Sequence, residues 1–155
     1  MKNRDICFRA WDTFNNRMVY YPFHFRKMQD GDKLIGDSRY DAPFVYYEDS
    51  TDFEDGISRP CFIMQFSGLK DKKDKDIYEG DIIELINSSG ETIRVICKFG
   101  TVVRKLDTGF FCDITSFYFE NDGRATFPII SNYAGKHDLE LFEVIGNIYA
   151  NTDLI

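Results

Sequence analysis

The spacing of apolar and polar residues along the chain marks out a series of strands. Ile6, Phe8 and Ala10 alternate with Cys7, Arg9 and Trp11, the period of two that sends successive side chains to opposite faces of a strand. Asp12-Thr13-Phe14-Asn15-Asn16 breaks the pattern and Arg17 to Tyr21 resumes it, which predicts a β-hairpin. Its second strand reads on past Pro22 toward Phe25, the proline marking an edge or a bend. From Lys27 to Arg59 the alternation dissolves into Asp and Glu, with Gly31, Gly36 and Gly56 as breakers. One apolar island, Phe44-Val45-Tyr46-Tyr47, reads as a short strand within it.

Order returns at Cys61 to Phe66, a further strand, followed by Gly68-Leu69-Lys70 and the alternating charges of Asp71 to Asp76, a solvated turn. Asp81 to Ile86 and Thr92 to Phe99 form a second hairpin around Asn87-Ser88-Ser89-Gly90, with Ile93, Val95, Cys97 and Phe99 on one face. Short strands follow at Thr101 to Leu106, Phe110 to Ile114 and Phe117 to Phe119. The last runs from Phe142 to Tyr149, with Phe142, Val144 and Ile148 aligned and Gly146 interrupting them, a mark of a bulge or bend. The expected fold is mainly β with minor α. Residues 67–155 are expected to close into a small SH3-like barrel of short, bent strands. Residues 1–66 form an N-terminal β-hairpin region with an acidic, loop-rich insertion at about 27–60. No repeat or linker separates the two, and they are expected to pack as one unit.

Composition supports strands. Of 155 residues, 43% are hydrophobic and 16% aromatic, with the Val, Ile, Phe and Tyr that suit a pleated, half-buried surface. A chain of this length buries roughly 68–70% of its unfolded surface, enough for a core without staples. The net charge of −7 opposes nucleic acid and anionic membranes, because binding to either relies on clustered Lys and Arg. Cys7, Cys61, Cys97 and Cys112 are scattered and lack a C-x-x-C pair. Without a signal-peptide pattern in MKNRDICFRAWD or a long apolar run, the expected location is the cytoplasm, with reduced thiols and no membrane partner.

Three blocks resemble the YopX-like family of phage and prophage proteins. They are Phe8-Arg9-Ala10-Trp11-Asp12 with Met18-Val19-Tyr20; Met64 to Asp71 running into Ile77 to Ile83; and Phe142 to Tyr149 followed by Asn151 and Leu154. The resemblance implies an SH3-like barrel in the C-terminal part, assembly into homo-oligomers and carriage by phages of Gram-positive or related bacteria. It implies no particular activity. Where relatives often place Asn-Gly, this chain has Lys73-Asp74. The turn there is therefore longer, looser or of another type than the two-residue turn Asn-Gly favours.

No residue is assigned a catalytic, cofactor-binding or metal-binding role, and no cofactor is expected. Glu79-Gly80-Asp81 could pair carboxylates for acid–base work; a turn built on Gly80, with Asp81 accepting backbone N–H bonds, is preferred. Arg9 and Asp12 beside Trp11 could form a binding patch, but an Arg9–carboxylate tie is preferred. The acids at 49–56 place Phe53 on a calcium-ligand position, and Asp71 to Asp76 carries lysines at alternate positions. His24 and His137 are far apart and lack nearby zinc-ligand spacing. Tyr20 to Phe25 and Phe117-Tyr118-Phe119 could stack bases only beside a positive groove. The expected function is a non-enzymatic, homo-oligomeric phage accessory protein acting through contacts with itself or with a host or phage protein. One alternative is a nucleic-acid module using Lys70, Lys72, Lys73, Lys75, Lys98, Arg104 and Lys105. Another is an acidic decoy of a host DNA-binding protein.

Overall fold

The computed structural model describes residues 6–20, 24–27, 33–34, 44–47, 57–86, 89–128 and 138–155. The chain divides into two units, Met1–Phe66 and Ser67–Ile155. Most of the acidic stretch at 27–60, including the candidate calcium loop at 49–56, lies outside the described residues, as does His137.

In the first unit, β1 (Phe8–Asp12) and β2 (Arg17–Tyr20) form the antiparallel hairpin, in register from Arg9 opposite Tyr20 to Asp12 opposite Arg17. β1 also pairs antiparallel with β6 (Ile57–Lys70). The other edge of β6 takes β5 (Phe44–Tyr47), which pairs in turn with β3 (His24–Lys27). The strand order is thus β2-β1-β6-β5-β3, and the two-residue β4 (Lys33–Leu34) lies parallel beside the start of β6. Ala10 and Cys61 are fully buried and packed by Val19, Phe44 and Ile63. Asp12, also fully buried, holds the hairpin turn: its carboxylate accepts the N–H groups of Phe14 (2.9 Å) and Asn15 (3.0 Å) and the Asn15 amide (2.7 Å). Such local acceptance is why Asp favours turns.

The second unit starts within β6, which turns at Lys72–Asp74 into β7 (Asp76–Tyr78). The turn uses three residues: Asp71 N–H donates to Lys75 O (2.9 Å) and Asp74 N–H to Asp71 O (3.0 Å). Asp74 has φ of 64°, a left-handed conformation that Asp tolerates better than most side chains. β8 (Asp81–Ile86), β9 (Thr92–Lys105), β10 (Phe111–Asn121), β11 (Arg124–Thr126) and β12 (Glu143–Asn147) form a five-stranded sheet in the order β11-β10-β9-β8-β12. Its core joins Ile77, Ile83, Val95, Cys97, Phe117, Phe119, Phe142 and Val144. Phe119 and Phe142 meet edge to face with centroids 5.0 Å apart.

The SH3-like barrel is not formed. The sheet is open, with β11 at one edge and β12 at the other. A barrel needs strands that bend and edges that meet. Here the strands expected to break near Gly100 run straight through it: β9 spans 14 residues and stays in register with β10 from Lys105–Phe111 to Ile96–Glu120. Gly100 is a strand residue opposite Ser116, with the Tyr118 ring 3.5 Å from where a Cβ would stand. A side chain would make only an ordinary contact there, so Gly100 is neither a corner nor a required gap. Minor α content is not found either: the helical elements among the described residues are two short 3₁₀ turns, Asp138–Glu140 and Thr152–Leu154. The bulge at Gly146 is present, as a register shift between Val144 and Gly146 in the β8–β12 pair.

Candidate functional site

Two features of the second unit present chemistry or shape to solvent. The first is an apolar cavity of about 340 Å³. Its wall comes from alternate residues of β8 and β9, Leu85, Ile93 and Val95, together with Phe119, Phe127 and Leu141. Leu85 pairs with Ile93 and Ile83 with Val95, so these side chains share one face of the sheet. The cavity therefore opens where the core face runs out. Glu84, Glu140 and Lys72 stand around a smaller, polar recess of about 170 Å³ that shares Leu85, Ile86 and Leu141 with it.

The second feature is a projecting arm. β8 pairs with β9 only from Thr92 to Ile96, and β11 pairs with β10 only from Phe119 to Asn121. Among the described residues, 98–105 of β9 and 111–118 of β10 have only each other as ladder partners. The tip closes by the same three-residue geometry as the Lys72–Asp74 turn, with Leu106 N–H donating to Phe110 O (2.7 Å) and Gly109 at φ 89°. Large apolar side chains crowd this arm in solvent: Phe99 is 47% exposed, Val103 65%, Leu106 44%, Phe110 74% and Phe111 69%.

The remaining candidates serve the fold. Asp81 is buried and its Oδ2 accepts the Tyr78 N–H (2.8 Å). Gly80 has φ of 79°; its N–H donates to Cys97 O (2.7 Å) and its carbonyl accepts Ile148 N–H (2.9 Å). Arg9 is buried, with Nη2 donating to Met64 Sδ at 3.6 Å. Trp11 is half-buried opposite Met18 and Phe62. His24 lies on β3. Phe117 and Phe119 belong to the core, while Tyr118 points to the other face over Gly100. The cysteines are free; burial, aided by the Asp12 charge, pushes the Cys61 thiol up to about 12.

Four of the seven basic residues named for a nucleic-acid face, Lys70, Lys72, Lys73 and Lys98, are paired with carboxylates. Lys70 meets Asp74 (3.3 Å) and Asp76 (3.2 Å). Lys72 pairs with Glu143 at 2.7 Å, Lys73 also pairs with Glu143, and Lys98 pairs with Glu120. Hydrogen bonds from Lys72 and Lys73 hold the Glu143 carboxyl down at about 2. Arg104 and Lys105 lie opposite Cys112 and Phe111, on alternate faces of the arm. Among the described residues, no group of three or more His, Cys, Asp or Glu could hold a metal ion. No helix among them is long and apolar enough to cross a membrane.

One residue hidden from sequence reasoning organises this unit. Asp71, read as part of a solvated turn, is 7% exposed. Its Oδ1 accepts the N–H groups of Lys73 (2.8 Å) and Lys75 (3.0 Å), and its Oδ2 that of Val144 (3.0 Å). Alternating charges concealed that inward-facing carboxylate.

The family model described as YopX protein matches residues 7–155. The chain belongs to the YopX family of phage and prophage proteins. In this YopX chain the three resembling blocks fall on the β1–β2 hairpin, on the β6–β8 segment around Asp71 and Gly80, and on β12 with the turn after it. No curated protein matches the sequence. Among solved structures, the chain is similar to the crystal structure of protein EF1440 from Enterococcus faecalis. That likeness has 20% identity and a TM-score of 0.49, covering 98% of this chain and 99% of that one.

Proposed function

We propose that this YopX-family chain is a non-enzymatic, homo-oligomeric module that acts through protein contacts in the cytoplasm of the bacterial host. The observation that carries the reading is the arm. Large apolar side chains held in solvent on a two-stranded ribbon are unfavourable unless a partner covers them. Non-enzymatic action is supported by where the suggestive carboxylates go: Asp71 and Asp81 are both engaged by backbone N–H groups. The pairing of Lys70, Lys72, Lys73 and Lys98 with carboxylates favours protein contacts over a phosphate-tracking surface. Light scattering on the eluting protein at micromolar concentration tests the reading. An oligomer is expected, and a monomer at that concentration would refute it.

A further inference from the structure

We propose that two copies of this chain dock by exchanging arms, the aromatic tip of each β9–β10 hairpin entering the apolar cavity of the other copy. The proposal rests on the homo-oligomer reading above and names the surfaces that would meet.

Strand parity relates the two surfaces. Residues 93, 95, 97, 99, 101, 103 and 105 of β9 share one face, because side chains alternate along a strand. Ile93 and Val95 of that face line the cavity; Phe99 and Val103 of the same face are exposed farther along. On β10, Phe111 stands opposite Lys105 and Phe117 opposite Phe99, which puts them on that face too. Cavity and apolar stripe therefore lie at two ends of one face of the sheet, with the buried Cys97, Phe117 and Phe119 between them.

The length of the arm keeps its tip from its own cavity. From Val95 to Lys105 the ribbon covers ten residues, about 33 Å at the rise of a strand. Its register is unbroken, so Phe110 and Phe111 cannot fold back into the cavity of their own chain. A second copy can supply them. If two such faces meet antiparallel about a two-fold axis near Thr101 and Thr115, midway between cavity and tip, each tip falls on the partner's cavity. That is the self-complementary arrangement a two-fold interface requires. Thr101 and Thr115 are small and share a hydroxyl hydrogen bond of 2.8 Å, so they permit a close approach at the crossing.

The apolar area at stake suits a dimer. Exposed aromatic and aliphatic surface on each arm amounts to about 500 Å², taking roughly 150–200 Å² for a fully exposed large side chain. Reciprocal exchange removes both arms from water, about 1,000 Å² before the receiving cavities are added, which reaches the lower end of specific interfaces. The cavity, about 340 Å³, lies in the range of sites that enclose small apolar groups.

The test uses the full chain. Phe110→Ser/Phe111→Ser removes the tip and Leu141→Glu places a charge at the cavity mouth; both alter exposed side chains. Each is expected to weaken self-association on the order of 100-fold, as read by sedimentation, with the thermal melt retained. Mixing the two variants is expected to restore a mixed dimer, because one intact tip then meets one intact cavity. Benzoylphenylalanine in place of Phe110 is expected to crosslink to 126–128 or 141–142 of a second copy. If the parent associates but either variant does so equally well, or the crosslink maps elsewhere, arm exchange is wrong and the homo-oligomer reading survives. A monomeric parent removes both.

Discussion

Replacing Asp71 tests the carboxylate that joins the β6–β7 turn to β12. In Asp71→Ala three backbone N–H groups lose their acceptor at once. Lys73 and Lys75 are exposed, so their amides regain water, and each bond contributes about 0.5–1.5 kcal/mol net. The Val144 amide belongs to a residue only 8% exposed, and a buried donor left unsatisfied costs about 1–3 kcal/mol. Together the loss is about 3–4 kcal/mol, a large share of the roughly 5–15 kcal/mol that holds a domain folded. Asp71→Asn keeps the shape and one acceptor oxygen but turns an N–H donor toward another N–H, and should lose about 2 kcal/mol.

Charge adds a pH signature. Burial by itself pushes this carboxyl up; the amides of Val144, Lys75 and Lys73, together with the Lys75 ammonium, outweigh it and hold the group below its ordinary 3.8. The unfolded chain therefore takes up the proton first as the pH falls. The stabilisation is complete above the unfolded value and fades as pH drops below 3.8 toward the folded one. Urea unfolding followed by far-UV circular dichroism gives the magnitude, and repetition from pH 7 down to pH 2.5 gives the slope. Amide exchange at Val144 supplies the local readout, with protection lost in Asp71→Ala. If Asp71→Ala unfolds within about 0.5 kcal/mol of the parent, the spread of ordinary surface substitutions, the organising role assigned to this side chain is wrong. Retained Val144 protection in that variant would refute it equally.

Four further outcomes are expected. A Cβ at Gly146 would lie 2.6 Å from Asn151 Oδ1 and 3.0 Å from Asn151 Cβ, and that Oδ1 accepts the Asn147 N–H at 3.2 Å. Gly146→Ala should therefore cost about 1–3 kcal/mol, largely recovered in Gly146→Ala/Asn151→Gly; equal losses in both, by thermal melt, would count against the clash. Gly80→Val, at φ 79°, should destabilise by more than about 1 kcal/mol through backbone strain, and a melt like the parent's would show the conformation is not required. Lys72→Ala/Lys73→Ala should return the Glu143 carboxyl from about 2 toward 4.5. In the parent, stability tied to that group is present above pH 4.5 and lost as pH falls toward 2; carboxyl NMR titration checks both statements. At pH 8 the Cys61 thiol, raised to about 12, should resist Ellman's reagent in the folded protein and react once urea unfolds it.

The strands were legible wherever one face is buried and the other is not. Phe8–Asp12 with Arg17–Tyr20, Asp81–Ile86 and the start of β9 all follow from alternation, because a one-residue slip would turn every apolar side chain outward. Closure was not legible. Gly100 separates two alternating runs in the sequence, yet in the fold it is an ordinary strand residue opposite Ser116. A break there divides one 14-residue strand into two short ones, and short strands suggest a barrel. Asp122-Gly123, with φ of 46° and 74°, is a two-residue hairpin turn of the kind that Asp-Gly favours. Asp71 was beyond reach because its decisive partner, Val144, is distant in sequence and meets it only after β12 joins β8.

The arm itself shows why periodicity alone did not separate core from interface. Val95 and Cys97 are buried, whereas Phe99 and Val103, two and six residues beyond Cys97 on the same face, are not. Nothing in the alternation changes between them; what changes is that β8 ends its pairing at Ile96. A strand that keeps a core-like face after its covering elements stop would be penalised if it stayed in water, since Phe110 and Phe111 could have been polar at no expense to the ladder. The proposed contact with another copy would give those residues a use, through the same hydrophobic burial that selects apolar residues in the core.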